Sequence, residues 1–185
     1  DMQGVKMVIP DPVIMDAYAQ FYKNVSQTGL LVLVLIFGGI LTNEFSRGTL
    51  VNVLTKGLSR KNVIFAKFTV AVILWTAALL IAFVTDFGYT VYLFPDETVY
   101  NMLPALGALW LFGILLIALI IFASTLVKGG FACLMIVMLV VVALFMIDII
   151  PGTEAFNPIL LASGNVQMMA ENYDFADVIR ASCVT

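Results

Sequence analysis

The stretch from Thr98 to Val127 runs for thirty residues without a charged side chain, and three others behave alike. Twenty residues from Asn24 to Asn43, eighteen from Phe68 to Thr85 and nineteen from Gly129 to Ile147 are also uncharged. A helix needs about 20 predominantly apolar residues to cross a hydrocarbon core about 30 Å thick. No stretch alternates as a half-buried strand does, and lipid leaves no water for unpaired backbone groups, so helices are the expected form. Composition agrees: 62% of residues are hydrophobic and 11% charged, where soluble domains carry about 25% charged residues. The sequence therefore predicts an all-α integral membrane protein, with a single transmembrane domain over 1–185. Its four transmembrane helices are expected at 24–43, 62–85, 104–127 and 131–150.

The charges also predict sidedness. Residues 43–67 and 127–130 hold six basic side chains and one acid, Glu44. The remaining polar regions, 1–23, 86–97 and 148–185, hold eleven acids and three basic residues, Lys6, Lys23 and Arg180. Lys and Arg are enriched in cytoplasmic loops. The segments 44–61 and 128–130 are thus expected inside the cell membrane, with 1–23, 86–103 and 151–185 outside. Phe87, Tyr89, Tyr92, Phe94 and Tyr100 crowd the second loop in the manner of an interfacial aromatic belt. The closing run FADVIRASCVT reads as the lead-in to another apolar helix. With both ends outside, one further span before residue 1 and one after residue 185 are expected.

The basic connector has a pattern that topology alone does not require. Gly48 and Gly57 bracket TLVNVLTK, in which Leu50 and Leu54, with Leu58 beyond the second glycine, fall at i, i+4 and i+8 on one helical face. Ser59 is a suitable N-cap for the helix that follows. The expected element is a short amphipathic helix under the membrane. It either floats in the headgroup layer or docks a partner.

On these residues the chain resembles the type-2 ABC transporter permeases, membrane subunits of many bacterial exporters. The run NEFSRGTLVNVLTKGLSRKNVIFAKF carries a glutamate at the inner end of a span, then G-T-L, an L-T-K-x-L-S-R run and a lysine in the next span. The run FNPILLASGNVQMMAEN at 156–172 is similar to the external segment that precedes the last span of that family. The resemblance implies the middle four of six spans, with 48–58 as a coupling helix seated in a separate ATPase subunit. It implies ATPase-coupling roles for Glu44, Arg47, Gly48, Thr49, Leu50, Leu54, Leu58 and Arg60. It further implies a dimer with a second permease copy or homologue, ATP held by the partner subunit, and export by alternating access.

Catalytic signals are sparse. The sequence has no G-x-x-x-x-G-K-[ST], so no P-loop, and no histidine, which removes H-E-x-x-H metal sites and histidine-based triads. No cofactor or metal site is expected, and LASGNV at 161–166 reads as a turn. Cys133 and Cys183 read as small apolar fillers. Asp86 and Asp148 lie near span ends, where water reaches an acid cheaply. A net charge of −3 with the basic patch against the membrane argues against nucleic acid. The alternatives to a permease are a membrane scaffold or sensor that transports nothing, and an intramembrane enzyme, for which few polar residues lie within the spans.

Sidedness is testable directly. With Cys133 and Cys183 replaced, single cysteines at Ser59 and Glu97 are expected to react with an impermeant maleimide from opposite sides of sealed cells. Labelling of both from outside refutes the topology.

Overall fold

The computed structural model describes residues 14–46, 60–95, 99–127, 129–149, 157–169 and 175–185. The first helical run joins α1 (Ile14–Asn24), a π-helical turn (Val25–Gly29) and α2 (Leu30–Ser46). Then follow α3 (Arg60–Leu93), α4 (Met102–Leu126) and α5 (Gly130–Asp148). Two single-turn helices, α6 (Leu160–Ser163) and α7 (Asn165–Met168), precede α8 (Ala176–Val184). No strand occurs among the described residues, and four helices are long and apolar enough to cross a membrane. The molecule is an all-α, multi-pass membrane protein.

Two of these helices outrun the uncharged stretches. The first begins at Ile14, ten residues ahead of Asn24, because Tyr18, Phe21 and Tyr22 bury one face of α1 against the bundle. Helix α3 continues to Leu93, with Pro95 just beyond it. Its 34 residues measure about 50 Å at 1.5 Å each. Phe87, Tyr89 and Tyr92 therefore sit on its last two turns rather than in a loop. Asp86 is likewise two turns inside the helix.

Helix α4 is the axis. It packs against α2, α3 and α5, and the short helices α6, α7 and α8 also rest on it. Of its most apolar eighteen residues 56% are buried, against 17% for α3 and 11% for α5. Its sequence permits this: Ala105, Ala108, Gly113, Ala123 and Ser124 are all buried and keep neighbouring backbones close. Pro104 lies in the first turn, where its missing N–H breaks no helical bond. Asn101 precedes the helix at φ 56°, a left-handed conformation that Asn tolerates better than most residues.

Two tryptophans lock α3 to α4. Trp75 Nε1–H donates to the Trp110 carbonyl at 3.1 Å, and Trp110 Nε1–H donates to Thr76 Oγ1 at 2.8 Å. The Thr76 hydroxyl donates onward to the Val72 carbonyl at 2.7 Å. Each indole N–H thus finds an acceptor where lipid offers none. Gly113 makes this approach possible, since a Cβ there would lie 2.3 Å from Trp75 ring atoms. On the outer side Val70, Ile73, Leu74, Ile81 and Val84 of α3 are exposed, an apolar face suited to acyl chains.

On the far side of the axis, α5 lies against α2 and α4. The Cys133 thiol is buried and donates to the Ile120 carbonyl at 3.6 Å, so this cysteine acts as a packed small side chain. Cys183 is exposed, and neither cysteine is in a disulfide. Met135 and Met146 face outward from α5.

Gly113→Ala is expected to force the Trp75 ring away and break its bond to Trp110. Overpacking of this kind costs about 1–3 kcal/mol. Thermal unfolding in detergent, followed by circular dichroism, measures it. Gly107→Ala, at a site with open space beside it, is the neutral control.

Candidate functional site

One end of the bundle gathers acids and the other bases. The acidic end carries Asp16 on α1, Asp86 near the end of α3 and Asp148 at the end of α5. The basic end carries the first turn of α3 with Arg60 and Lys61. At the acidic end α1, α3 and α4 meet through Tyr18 and Tyr22, each 1% exposed. The Tyr18 hydroxyl is hydrogen-bonded to buried Thr90, and the Tyr22 hydroxyl donates to the Met102 carbonyl at 2.9 Å. Phe21 meets Phe83 edge-on at 6.1 Å, and Phe83 stacks on Phe87 at 6.2 Å. Asp86 lies within electrostatic reach of both tyrosines, and its Oδ2 is buried without a hydrogen-bond partner.

The segment after α5 folds back into the bundle. Asn157 Nδ2 donates to the Leu144 carbonyl at 2.7 Å and to Asp148 Oδ1 at 3.3 Å, while its Oδ1 accepts from the Ile159 N–H at 3.1 Å. Asp148 is therefore met by an amide donor. Beyond it, Ile159, Leu161, Met168 and Met169 are each at most 1% exposed. LASGNV makes the tight joint between α6 and α7. Gly164 is required there because a Cβ would stand 2.9 Å from the Leu160 carbonyl oxygen. Ser26 Oγ and Asn165 Nδ2 both donate to the Ala162 carbonyl at 2.8 Å, which ties the π-helical turn to this cap.

Between these parts lies a half-open groove of about 810 Å³. Its walls are the α1–α2 run, α4, α5 and the α6–α7 cap. Along the first wall the lining residues include Asp16, Gln20, Lys23, Gln27, Leu30 and Val34, spaced four and three apart as one helical face. The first four are polar and the last two apolar. The deeper half is closed by Phe112 and Leu116 of α4 and by Met138 and Val141 of α5, with Phe145 nearer the acidic end. Asn165 stands at the polar half with its Oδ1 buried and without a hydrogen-bond partner. The π-helical turn lies at the change from polar to apolar, where the Leu30 N–H reaches back to the Val25 carbonyl. Such single π turns are frequent at functional positions in helices. A groove of this volume falls within the usual range for small-molecule sites, about 300–1,000 Å³.

Of the residues expected to couple to an ATPase, only Glu44 and Arg60 are described, and both lie at the opposite end. Arg47, Gly48, Thr49, Leu50, Leu54 and Leu58 lie outside the described residues, as does Ser59. Glu44 falls in the last turn of α2, and Arg60 opens α3. The structure thus sets the two flanking residues at helix ends, α2 and α3 both resting on α4. Among the described residues no three Cys, Asp or Glu side chains form a cluster able to hold a metal.

The groove and the Asn157 staple went unread in the sequence. The groove's signal was the 16–20–23–27–30–34 stripe, hidden because residues up to 23 were expected outside the membrane. Comparison with protein-family models, with curated proteins and with solved structures finds no match to this chain. The class that fold and site define is a multi-pass helical membrane protein with an amphipathic groove.

Asn157→Ala is expected to cost about 1–3 kcal/mol, the range for leaving buried partners unsatisfied. It should also expose 157–169 to proteolysis, read by limited chymotrypsin digestion, for which Leu160, Leu161 and Met168 offer sites, against the wild-type protein. Asn157→Asp sets a second carboxylate beside Asp148. Its deficit should be largest near pH 7 and shrink as the pH falls through the carboxylate range and one of the pair is neutralised.

Proposed function

We propose that this chain is the membrane-spanning permease subunit of an ABC exporter in the cytoplasmic membrane, driven by a separate ATPase subunit. The observation that carries the reading is the basic, glycine-bracketed segment 43–68, whose residues resemble the coupling region of type-2 permeases. The helix arrangement supports it. The segment bridges the ends of α2 and α3, and both helices rest on the same central helix. A push on 47–59 therefore acts on two helices that lever against α4. At the other end of α2 lies the groove, so a tilt of that helix alters the groove's width. The lack of a P-loop assigns nucleotide hydrolysis to the partner, and dimerisation with a second permease copy follows from the same resemblance.

In this scheme Leu50, Leu54 and Leu58 present the apolar face to the ATPase. Gly48 supplies the joint that lets the short helix turn against α2. Arg47 and Arg60 flank it with positive charge, and Glu44 and Thr49 fix its approach at the end of the span.

Leu54→Asp tests the handle. A charge left unpaired in an apolar groove costs about 3–5 kcal/mol, which is a hundredfold or more in affinity at about 1.4 kcal/mol per tenfold. ATP-hydrolysing activity recovered with the affinity-tagged chain from its native membranes is expected for wild type and lost for Leu54→Asp, with equal membrane levels of both. Equal recovery from the two shows that 48–58 only floats in the interface.

A further inference from the structure

The groove has a head, a tail and a length. Its polar half holds one acid and one base on the same wall, Asp16 and Lys23, both exposed at the rim, with Gln20 between them. Its other half is apolar, with Leu30 and Val34 on one wall and Phe112, Leu116, Met138 and Val141 on the others. From Lys23 to Val34 is eleven residues, about 16 Å of helix. That is about half of a hydrocarbon core about 30 Å thick, the depth of one leaflet. The polar half is level with the acidic end of the bundle, where Tyr18, Tyr22 and the aromatic side chains of α3 mark the interface.

We propose that the groove holds one zwitterionic phospholipid of the leaflet at the acidic end, its phosphate at Lys23, its ammonium toward Asp16 and an acyl chain along Val34 and Leu116. Charge complementarity selects the headgroup. Lys23 lies nearer the apolar half, as a phosphate lies nearer the acyl chains, and Asp16 lies about two turns farther out. An anionic lipid meets Lys23 equally well but brings no cation to Asp16. An uncharged diacylglycerol uses neither. The groove is half open, and its exposed lining side chains Leu31, Met138 and Phe145 are apolar, which suits entry of an acyl chain from lipid rather than from water. Its effect would be to fill the space between the α1–α2 run and α5, so that the π-helical turn closes on lipid rather than on a void. This assignment does not depend on the permease reading.

The test uses the whole chain in dodecyl maltoside, with phosphatidylethanolamine and phosphatidylglycerol probes that carry a diazirine in mid-acyl chain. After irradiation, mass spectrometry locates the adducts. Phosphatidylethanolamine is expected to label 14–38 and 130–148 about fivefold more than phosphatidylglycerol, the scale of one partly exposed ion pair. Asp16→Asn, exposed and near-isosteric, should remove that preference, whereas Lys23→Gln should lower labelling by both probes and keep the preference, helix content staying unchanged in each. Met138→Trp fills the deep half and should lower labelling of both segments by either probe. Equal labelling by the two probes overturns the proposal in favour of ordinary annular lipid. So does an unchanged preference in Asp16→Asn, or unchanged labelling by both probes in Lys23→Gln. Failure to label these segments, with disulfide crosslinking of Leu31→Cys between two molecules, assigns the groove instead to a second copy of the chain.

Discussion

The distance between α3 and α4 is set by a ring lying on a backbone. Trp75 packs against Gly113 at a separation that leaves no room for a methyl group. From that contact the two indole N–H groups can reach the Trp110 carbonyl and the Thr76 hydroxyl. In lipid, helices gain little from hiding apolar side chains, because acyl chains solvate them as well as a core does. Close packing and satisfied hydrogen bonds must supply the association instead. The small residues along α4 therefore matter more than its leucines. They let α2, α3 and α5 approach from three directions, and the rest of the molecule is arranged around that one helix.

A second consequence concerns polar groups. Thr69, Thr76, Thr85, Ser124 and Thr125 each donate their hydroxyl to a carbonyl of the preceding helical turn. The spans carry these hydroxyls without leaving donors bare. Against that background the unpaired atoms stand out. Asp86 Oδ2 and Asn165 Oδ1 are buried without a partner, and both belong to the acidic end. Asp86 looks into the tyrosine cluster between α1 and α3, and Asn165 stands at the wall of the groove. Unsatisfied polar atoms, the π-helical turn and the folded-back cap all gather in this half of the protein, whereas the described residues of the basic half are helix apart from the extended Val127 and Gly129 between α4 and α5.

The two ends of the bundle are thus built differently. The groove needs walls that differ in polarity along their length, which only helices continuing from the interface into the bilayer provide. α1 supplies the polar half and α2 the apolar half of a single wall, and the π-helical turn joins them. The cap α6–α7 closes the top because Asn157 turns the chain back onto α5, and Ser26 and Asn165 fasten it to the same carbonyl.

The sequence by itself determined the class and the four spans, because absence of charge over about 20 residues leaves a helix in lipid few alternatives. It also marked the basic connector with Glu44 and Arg60, since charge sidedness and leucine spacing are local signals. Tertiary structure decided what those signals do not contain. That α4 is central depends on which small residues meet which aromatic ones, and Trp75 and Gly113 are thirty-eight positions apart. The start of the first helix at Ile14, where a polar tail was expected, depends on Tyr18 and Tyr22 finding Thr90 and Met102 across the bundle. The groove exists only because a stripe from Asp16 to Val34 comes to face α5 and the cap. Each of these rests on contacts between distant segments, and periodicity within one segment cannot report them.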